Sequence, residues 1–184
     1  MARVRLIDAA QAPLLARPYY ANGDPGPIVS ALAHVPEFLE AAMPFLGAVL
    51  GPSSLGERTK ELVILRCSAV ARCGYCTGTH TVVALDLGLH ENEVRALRGE
   101  IPVAEAFAEG AERALLAWTD AVAGSPGTDA ASARDALGAF YDDADVVELT
   151  VVAATTLMLT RLCTALALPV SPENTARLRA AGIT

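Results

Sequence analysis

The sequence has 184 residues, of which 53% are apolar, 19% are charged and only 5% are aromatic. Disordered chains combine low hydrophobicity with high net charge, and this composition is the opposite. The formal net charge of −7 and the pI of about 4.9 exclude the broad basic surface that nucleic-acid binding requires, so we expect no nucleic-acid partner.

The first 26 residues are predicted to form an irregular arm. Pro13, Pro18, Asn22-Gly23 and Asp24-Pro25 interrupt regular structure there. The arm holds no apolar run of signal-peptide length, and no window of about 18 consecutive apolar residues occurs along the chain. We therefore expect a cytoplasmic protein without a membrane partner.

Helical patterns follow the arm in chain order. Apolar spacing, caps and breakers such as Ser125-Pro126-Gly127 predict helices over 28–33, 36–50, 55–72, 75–87, 91–97, 103–123, 130–140 and 143–168, and a last helix after Ser171-Pro172. Pro44 is expected to kink or split the second helix, and Ser54 with Glu57 is expected to form a capping box for the third. No segment alternates with period 2, and 36 alanines favour close helix packing, so the sequence predicts an all-α fold.

The chain is predicted to form one domain over 1–184, with its core at about 27–170. The stretch 62–71 is apolar on nearly every side, which places that helix in the middle of the fold. A faint internal repeat aligns Glu148 with Glu61 and Cys163 with Cys76, which raises the hypothesis of a duplicated helical hairpin. The mean hydropathy of +0.38 is high for a small monomer and favours a homo-oligomer.

The strongest chemical signal is the CxxC formed by Cys73-Gly74-Tyr75-Cys76, which His80 follows on the same helix face. Exposed N–H groups at a helix start favour a thiolate, and the neighbouring Arg72 is expected to act in the same direction. His80 is placed one turn after Cys76, where it can accept the thiol proton. Glu61, on the preceding apolar helix, can orient the histidine if the two side chains face each other. Tyr75 either donates a hydrogen bond in the site or packs against it.

The same residues allow a metal interpretation. Cys73, Cys76 and His80 could bind zinc, with Glu61 or Cys67 as the fourth ligand. Structural zinc sites usually pair two ligand clusters, and the sequence has no second cluster, so redox chemistry is favoured and neither a metal nor another cofactor is expected. Cys67 and Cys163 have no neighbouring cysteine and are predicted to be buried, inert thiols.

Four of these residues follow a spacing that resembles a family signature: Glu61 is followed after eleven residues by Cys73, after two more by Cys76 and after three more by His80. This is similar to the E-x11-C-x2-C-x3-H signature of the alkylhydroperoxidase D (AhpD) family, which is grouped with the carboxymuconolactone decarboxylases. The likeness extends to residues 33–37, 87–89 and 141–149 and covers roughly residues 27–170.

The resemblance implies a helical, homo-oligomeric thiol peroxidase or disulfide reductase of the cytoplasm. In such an enzyme Cys76 reacts with a peroxide and becomes a sulfenic acid, while Cys73 donates a proton and then resolves Cys76 into a Cys73–Cys76 disulfide. Glu61 and His80 form the proton relay, and a thiol reductant or redox partner protein closes the cycle. The best-known members have a histidine where this chain has Tyr75, a departure that bears on the reductant and the rate.

Two other functions are compatible with parts of the sequence. One is a cofactor-free decarboxylase or lactone-processing enzyme of the same superfamily, whose chemistry does not depend on a CxxC. The other is a non-catalytic helical oligomer in which the CxxC binds a metal or packs in the core. The presence of both Cys73 and Cys76 favours the dithiol peroxidase over either alternative.

Overall fold

The computed structural model describes residues 2–108, 110–125 and 127–183, so that Met1, Glu109, Thr184 and the predicted breaker Pro126 lie outside the described residues. Over the described residues the fold is all-α, as predicted. Two 3-10 segments, Ala9–Gln11 and Leu14–Tyr20, precede the α-helices. The helices are α1 (Pro27–Leu32), α2 (Pro36–Leu50), α3 (Glu57–Val70), α4 (Gly74–Asp86), α5 (Glu91–Leu97), α6 (Val103–Ala106), α7 (Ala111–Ala123), α8 (Ala130–Leu137), α9 (Asp143–Leu166) and α10 (Pro172–Ala180).

Helix α3 lies at the centre of the molecule, as its apolar sequence predicts. It packs against α4, α7 and α9, and its residues 60–65, 67 and 68 are all buried. Arg66 fixes α3 to α7, because its guanidinium binds both carboxylate oxygens of Asp120 at 2.6 and 2.9 Å. Any functional side chain on the inner face of α3 is therefore held by packing on several sides.

Lys60, the single lysine of the chain, is buried beside this centre. Its Nζ donates to the backbone oxygens of Val49 at 3.0 Å and Gly51 at 2.7 Å, and it lies 2.8 Å from the Glu148 carboxylate. The ammonium thus satisfies carbonyl groups at the C-terminal end of α2 and pairs with α9. One buried cation joins three helices.

Some predicted helix boundaries differ from those in the structure. Pro44 does not split α2; it lies on the exposed side of the helix, where water can bond the carbonyl group that lacks a proline N–H partner. Ser54 does not cap α3, whose N-cap is Gly56 without a side-chain hydrogen bond. The expected helix over 103–123 is also two helices, since the chain is extended at Phe107 and Gly110 has a φ of +127°.

The aligned halves of the internal repeat fold differently. The first half contains the turn between α3 and α4, whereas the second half lies within the uninterrupted helix α9. The segment aligned with the Cys73 hairpin is therefore not a hairpin.

Helix α9 is long and apolar enough to cross a membrane when only length and composition are considered. A core helix also meets that criterion, and the inward face of α9 belongs to the central core through Val146, Leu149, Val152 and Ala153. The threonines of α9, together with Glu148 and Arg161, interrupt the apolar run, so the sequence contains no unbroken apolar stretch as long as the helix.

The N-terminal arm is tied down along its length. Arg3 N–H donates to Leu166 O at 2.8 Å, and Ile7 N–H donates to Ser30 O at 3.1 Å. The Tyr20 hydroxyl donates to Ile7 O at 2.8 Å. The arm thereby lies across the C-terminal end of α9 and against α1, where its apolar side chains cover the region of the cysteines.

Candidate active site

The turn between α3 and α4 positions Cys73. Arg72 N–H donates to Ala69 O at 2.9 Å and Cys73 N–H donates to Ser68 O at 3.0 Å, which is the hydrogen-bond pattern of a Schellman motif. Arg72 occupies the left-handed position of this motif, with a φ of +55° where glycine is usual. The motif turns the chain sharply, so that Cys73 becomes the N-cap of α4.

Three sulfur atoms meet at the start of α4. Cys73 Sγ accepts a hydrogen bond from the backbone N–H of Cys76 at 3.3 Å. Cys163, near the end of α9, brings a third thiol, and the Sγ atoms of Cys73, Cys76 and Cys163 all lie within 4.8 Å of one another. We call these three residues the thiol cluster. Cys163 is buried, as predicted, but it does not lie apart from the site.

The three thiols of the cluster differ in pKa. The pKa of Cys73 is lowered, because Cys73 accepts hydrogen bonds from the thiols of Cys163 and Cys76, from the Cys76 amide and from the Thr164 hydroxyl. The pKa of Cys76 is raised by its hydrogen bonds with Cys163 and Cys73 and by burial, and the pKa of Cys163 is raised by its hydrogen bond with Cys73 and by burial. Among the three thiols, these contacts favour the thiolate form at Cys73, which is also the N-cap of α4, at the positive end of the helix dipole.

The structure also brings Glu61 and His80 together. His80 Nδ1 lies 2.9 Å from Glu61 Oε1 and 3.2 Å from Oε2. Glu61 is buried on α3, and that burial raises its pKa, while the bond to His80 opposes the rise. His80 is partly exposed and lies one turn after Cys76 on α4. The contact with Glu61 fixes the imidazole ring through Nδ1 and leaves Nε2 to accept or donate a proton.

The ligand set of the zinc hypothesis does not assemble. Glu61 faces His80, and among the described residues the only close group of metal-ligating side chains consists of the three cysteines. Apolar side chains surround that group, including Val4, Leu6, Ile28 and Leu168. Cys67 is buried elsewhere on α3, where burial raises its pKa to about 12.

Tyr75 and Arg72 flank the thiol cluster without bonding a sulfur atom. Tyr75 packs against it, and burial together with the nearby sulfur charge raises the tyrosine pKa to about 12. Arg72 is exposed, and the groups described above as lowering the pKa of Cys73 are all neutral donors. The expected influence of Arg72 on the thiolate stays a prediction.

Two pockets adjoin these residues. The larger, of about 670 Å³, is lined by the arm, α1 and the segment after α9, and Leu6 belongs both to its wall and to the apolar shell of the thiol cluster. Its charged lining residues are Asp8 and Asp24. The smaller, of about 200 Å³, includes Lys60 and Glu61 in its lining. The other lining residues of the larger pocket are uncharged, so the larger pocket suits an organic molecule that carries no negative charge.

Sequence reasoning missed Cys163 for a physical reason. The buried positions Leu149, Val152, Thr156, Thr160 and Cys163 form a stripe at steps of three and four residues, so periodicity does predict that Cys163 faces inward. Periodicity does not show which helix packs against that stripe. The approach of α9 to the N-terminal end of α4 is a tertiary contact between residues about 90 positions apart.

Comparison with known proteins places this geometry in a family context. Residues 36–121 match the model of the carboxymuconolactone decarboxylase family, a segment that includes Glu61, Cys73, Cys76 and His80. The chain matches no curated protein sequence.

Solved structures share the fold over most of the chain. An AhpD-core, peroxidase-related protein from Ralstonia eutropha aligns with a TM-score of 0.79 at 17% identity, covering 94% of each chain. A protein of unknown function from Agrobacterium tumefaciens, named as a candidate antioxidant defence protein AhpD, aligns at 0.65 and 28% identity over 77% of this chain and 97% of its own. The debrominase Bmp8 aligns at 0.75 and 21% identity over 95% of each chain.

Proposed function

We propose that this AhpD-like chain, whose residues 36–121 belong to the carboxymuconolactone decarboxylase family, is a thiol-dependent peroxidase and disulfide reductase. The matching family is described as carboxymuconolactone decarboxylases and one protein of this fold is a debrominase, and a peroxide-reducing dithiol is the activity that this site supports best. The observation that carries the proposal is the buried Cys73–Cys76 pair at the start of α4, with the Glu61–His80 pair one turn further along. Hydrogen peroxide and organic hydroperoxides are the proposed substrates, and the apolar pocket beside Leu6 favours the organic ones.

The proposed cycle begins at Cys76. Its proton passes to His80, which Glu61 orients, and the Cys76 sulfur attacks one oxygen of the hydroperoxide. The O–O bond breaks, an alcohol or water leaves with the proton, and Cys76 becomes a sulfenic acid. The Cys73 thiolate then attacks that sulfur, and the hydroxyl group takes up a proton from solvent and leaves as water. A partner dithiol returns two electrons and the proton of Cys76 and releases its second proton to solvent, which restores the Cys73 thiolate and the Cys76 thiol.

Steady-state turnover with a dithiol reductant tests the proposal. The wild-type protein is expected to reduce an aromatic hydroperoxide and hydrogen peroxide, and the variants Cys73→Ser and Cys76→Ser are expected to fall to the uncatalysed rate. Cys67→Ser is the matched control, because Cys67 is a buried cysteine of the same chain that lies outside the thiol cluster. Equal turnover in all four proteins would overturn the proposal.

A cofactor-free decarboxylase is the second candidate, which the description of the matching family favours. Its chemistry requires no thiols. A double variant, Cys73→Ser with Cys76→Ser, would then keep full turnover of a lactone or β-keto acid substrate, whereas a dithiol peroxidase loses its activity. Assays of this double variant with both classes of substrate therefore distinguish the two functions.

The proposal also includes the setting of the enzyme. A homo-oligomer is supported by an exposed apolar stripe on α9, where Val147, Val151 and Met158 lie on one helix face with exposures of 63%, 38% and 47%. We further propose a cytoplasmic location, where reducing partners keep the thiol cluster in its reduced state between turnovers.

A further inference from the structure

We infer that Cys163 is a third redox-active thiol, which exchanges with the Cys73–Cys76 disulfide to give a Cys73–Cys163 disulfide. The inference rests on the proposed dithiol chemistry of the CxxC and extends it to a residue in another helix. The sequence of α9 marks Cys163 only through the faint repeat that aligns it with Cys76.

The position of the sulfur atoms is the first argument. All three Sγ atoms lie within 4.8 Å of one another, so Cys163 lies in the immediate neighbourhood of both sulfur atoms of the CxxC. The Cys163 thiol hydrogen-bonds to Cys73, and this contact is the largest contribution to the lowered pKa of Cys73. Forming an S–S bond of about 2.05 Å from such a contact requires side-chain rotation at the ends of α4 and α9.

The surroundings of the cluster are the second argument. Cys73, Cys76 and Cys163 are exposed by only 1%, 5% and 1%, and the shell around them is apolar. An apolar shell favours the uncharged products of thiol–disulfide exchange. Because the three sulfur atoms lie within 4.8 Å of one another, exchange among them is intramolecular and has a high effective concentration.

The exchange is balanced without any further reactant. The Cys163 sulfur attacks the Cys73 sulfur of the Cys73–Cys76 disulfide, a new Cys73–Cys163 bond forms, and the bond to Cys76 breaks. The Cys163 proton passes to the released Cys76 sulfur. One disulfide is present before and after the exchange, so no oxidant or reductant is consumed. Cys76 returns to its thiol form, and the new disulfide links α4 to α9.

Equilibration in a dithiol–disulfide buffer tests this inference in the absence of peroxide. Each protein is brought to the buffer potential, quenched with acid, alkylated and mapped by peptide mass spectrometry. The wild-type protein is expected to give a Cys73–Cys163 linkage beside Cys73–Cys76. Cys76→Ser, whose CxxC is broken, is expected to keep one intramolecular disulfide, joining Cys73 to Cys163.

Two double variants test whether Cys163 is the cysteine that pairs with Cys73. The double variant with Cys76→Ser and Cys163→Ser is expected to form no intramolecular disulfide, and the double variant with Cys76→Ser and Cys67→Ser is expected to form the Cys73–Cys163 linkage normally. Circular dichroism verifies that each variant is folded, and the wild-type map needs no variant at all. If the wild-type map contains only Cys73–Cys76, and Cys76→Ser retains three free thiols at a potential that fully oxidises the wild type, the inference is overturned. Since the buffer contains no peroxide, a lack of peroxidase activity would leave this result unaffected.

Discussion

At the scale of single residues, the Glu61–His80 pair shows how a charged group is maintained inside an apolar helix. A carboxylate buried on α3 is unfavourable without a partner, and the imidazole of His80 supplies one at 2.9 Å. The sequence predicted both residues, because the acid interrupts an apolar helix and the histidine follows the CxxC by four positions. The distance between the two side chains depends on how α3 packs against α4, and the spacing of the residues along the sequence does not determine that packing.

We expect Glu61→Gln to lower kcat/KM for hydroperoxides by about 10- to 100-fold while the protein stays folded. Glutamine keeps the size of the side chain and a hydrogen bond to His80 Nδ1, but it cannot support positive charge on the ring. The measurement is kcat/KM against pH together with a thermal unfolding curve by circular dichroism. Wild-type kcat/KM across the pH range would remove Glu61 from the relay.

The lowered pKa of Cys73 predicts a thiolate in the reduced protein at pH values well below the usual thiol pKa of about 8.5. Because the folded pKa lies below the unfolded one, the stabilisation from this thiolate is complete above the unfolded pKa and is lost as the pH falls through the folded pKa. Ultraviolet thiolate absorbance measures it directly. One thiolate is expected at neutral pH in the wild type and in Cys67→Ser, and none in Cys73→Ser. An absorbance that rises only around pH 8.5 would contradict the assignment.

At the scale of helices, the sequence predicted most elements because caps, prolines and apolar spacing act locally. Helices α2 and α5 have the predicted limits, whereas the 103–123 segment divides into α6 and α7. There the apolar spacing continues through the break, so periodicity could not reveal it, and Gly110 with its positive φ was the overlooked signal. The thiol cluster likewise depends on two helix termini that no apolar pattern describes.

The end of α9 gives a test of one such terminus. Leu168 N–H donates to Cys163 O at 3.0 Å and Ala167 N–H donates to Thr164 O at 3.2 Å, a second Schellman motif, in which Ala167 has a φ of +51°. Ala167→Gly is expected to raise the free energy of unfolding by about 1 kcal/mol, since glycine adopts this conformation without strain.

Ala165→Gly is the matched control for that change. Ala165 is exposed within the last turn of α9 proper, so glycine there is expected to lower the free energy of unfolding by about 1 kcal/mol. Urea denaturation measures both values. The same sign for the two variants would show that Ala167 is not strained.

At the scale of the whole molecule, the apolar stripe on α9 connects composition to assembly. The high mean hydropathy of the chain is accounted for partly by the core around α3 and partly by exposed side chains such as Val147, Val151 and Met158. Composition predicted excess apolar surface, but only the packing of α9 shows which of its faces is left exposed. That face lies opposite the core stripe that ends at Cys163.

We expect a double variant, Val151→Glu with Met158→Glu, to reduce the mass measured by light scattering toward the 19.1 kDa of one chain. Two carboxylates on this stripe would be desolvated in an interface, and both positions are exposed in the single chain, so folding is retained. Leu14→Glu is the control, because Leu14 is exposed on the N-terminal 3-10 segment. A mass unchanged from the wild-type oligomer would exclude this face as the interface.

The central claim is that Cys73 and Cys76 form a peroxide-dependent redox couple, and a thiol count tests it most directly. The fully reduced protein, freed of reductant, receives a small excess of an organic hydroperoxide, and its thiols are then titrated under denaturing conditions. The four thiols of the chain are expected to fall to two. In the double variant Cys73→Ser with Cys76→Ser no such paired loss is expected. Four thiols remaining in the wild-type protein would contradict the redox couple and with it the peroxidase function.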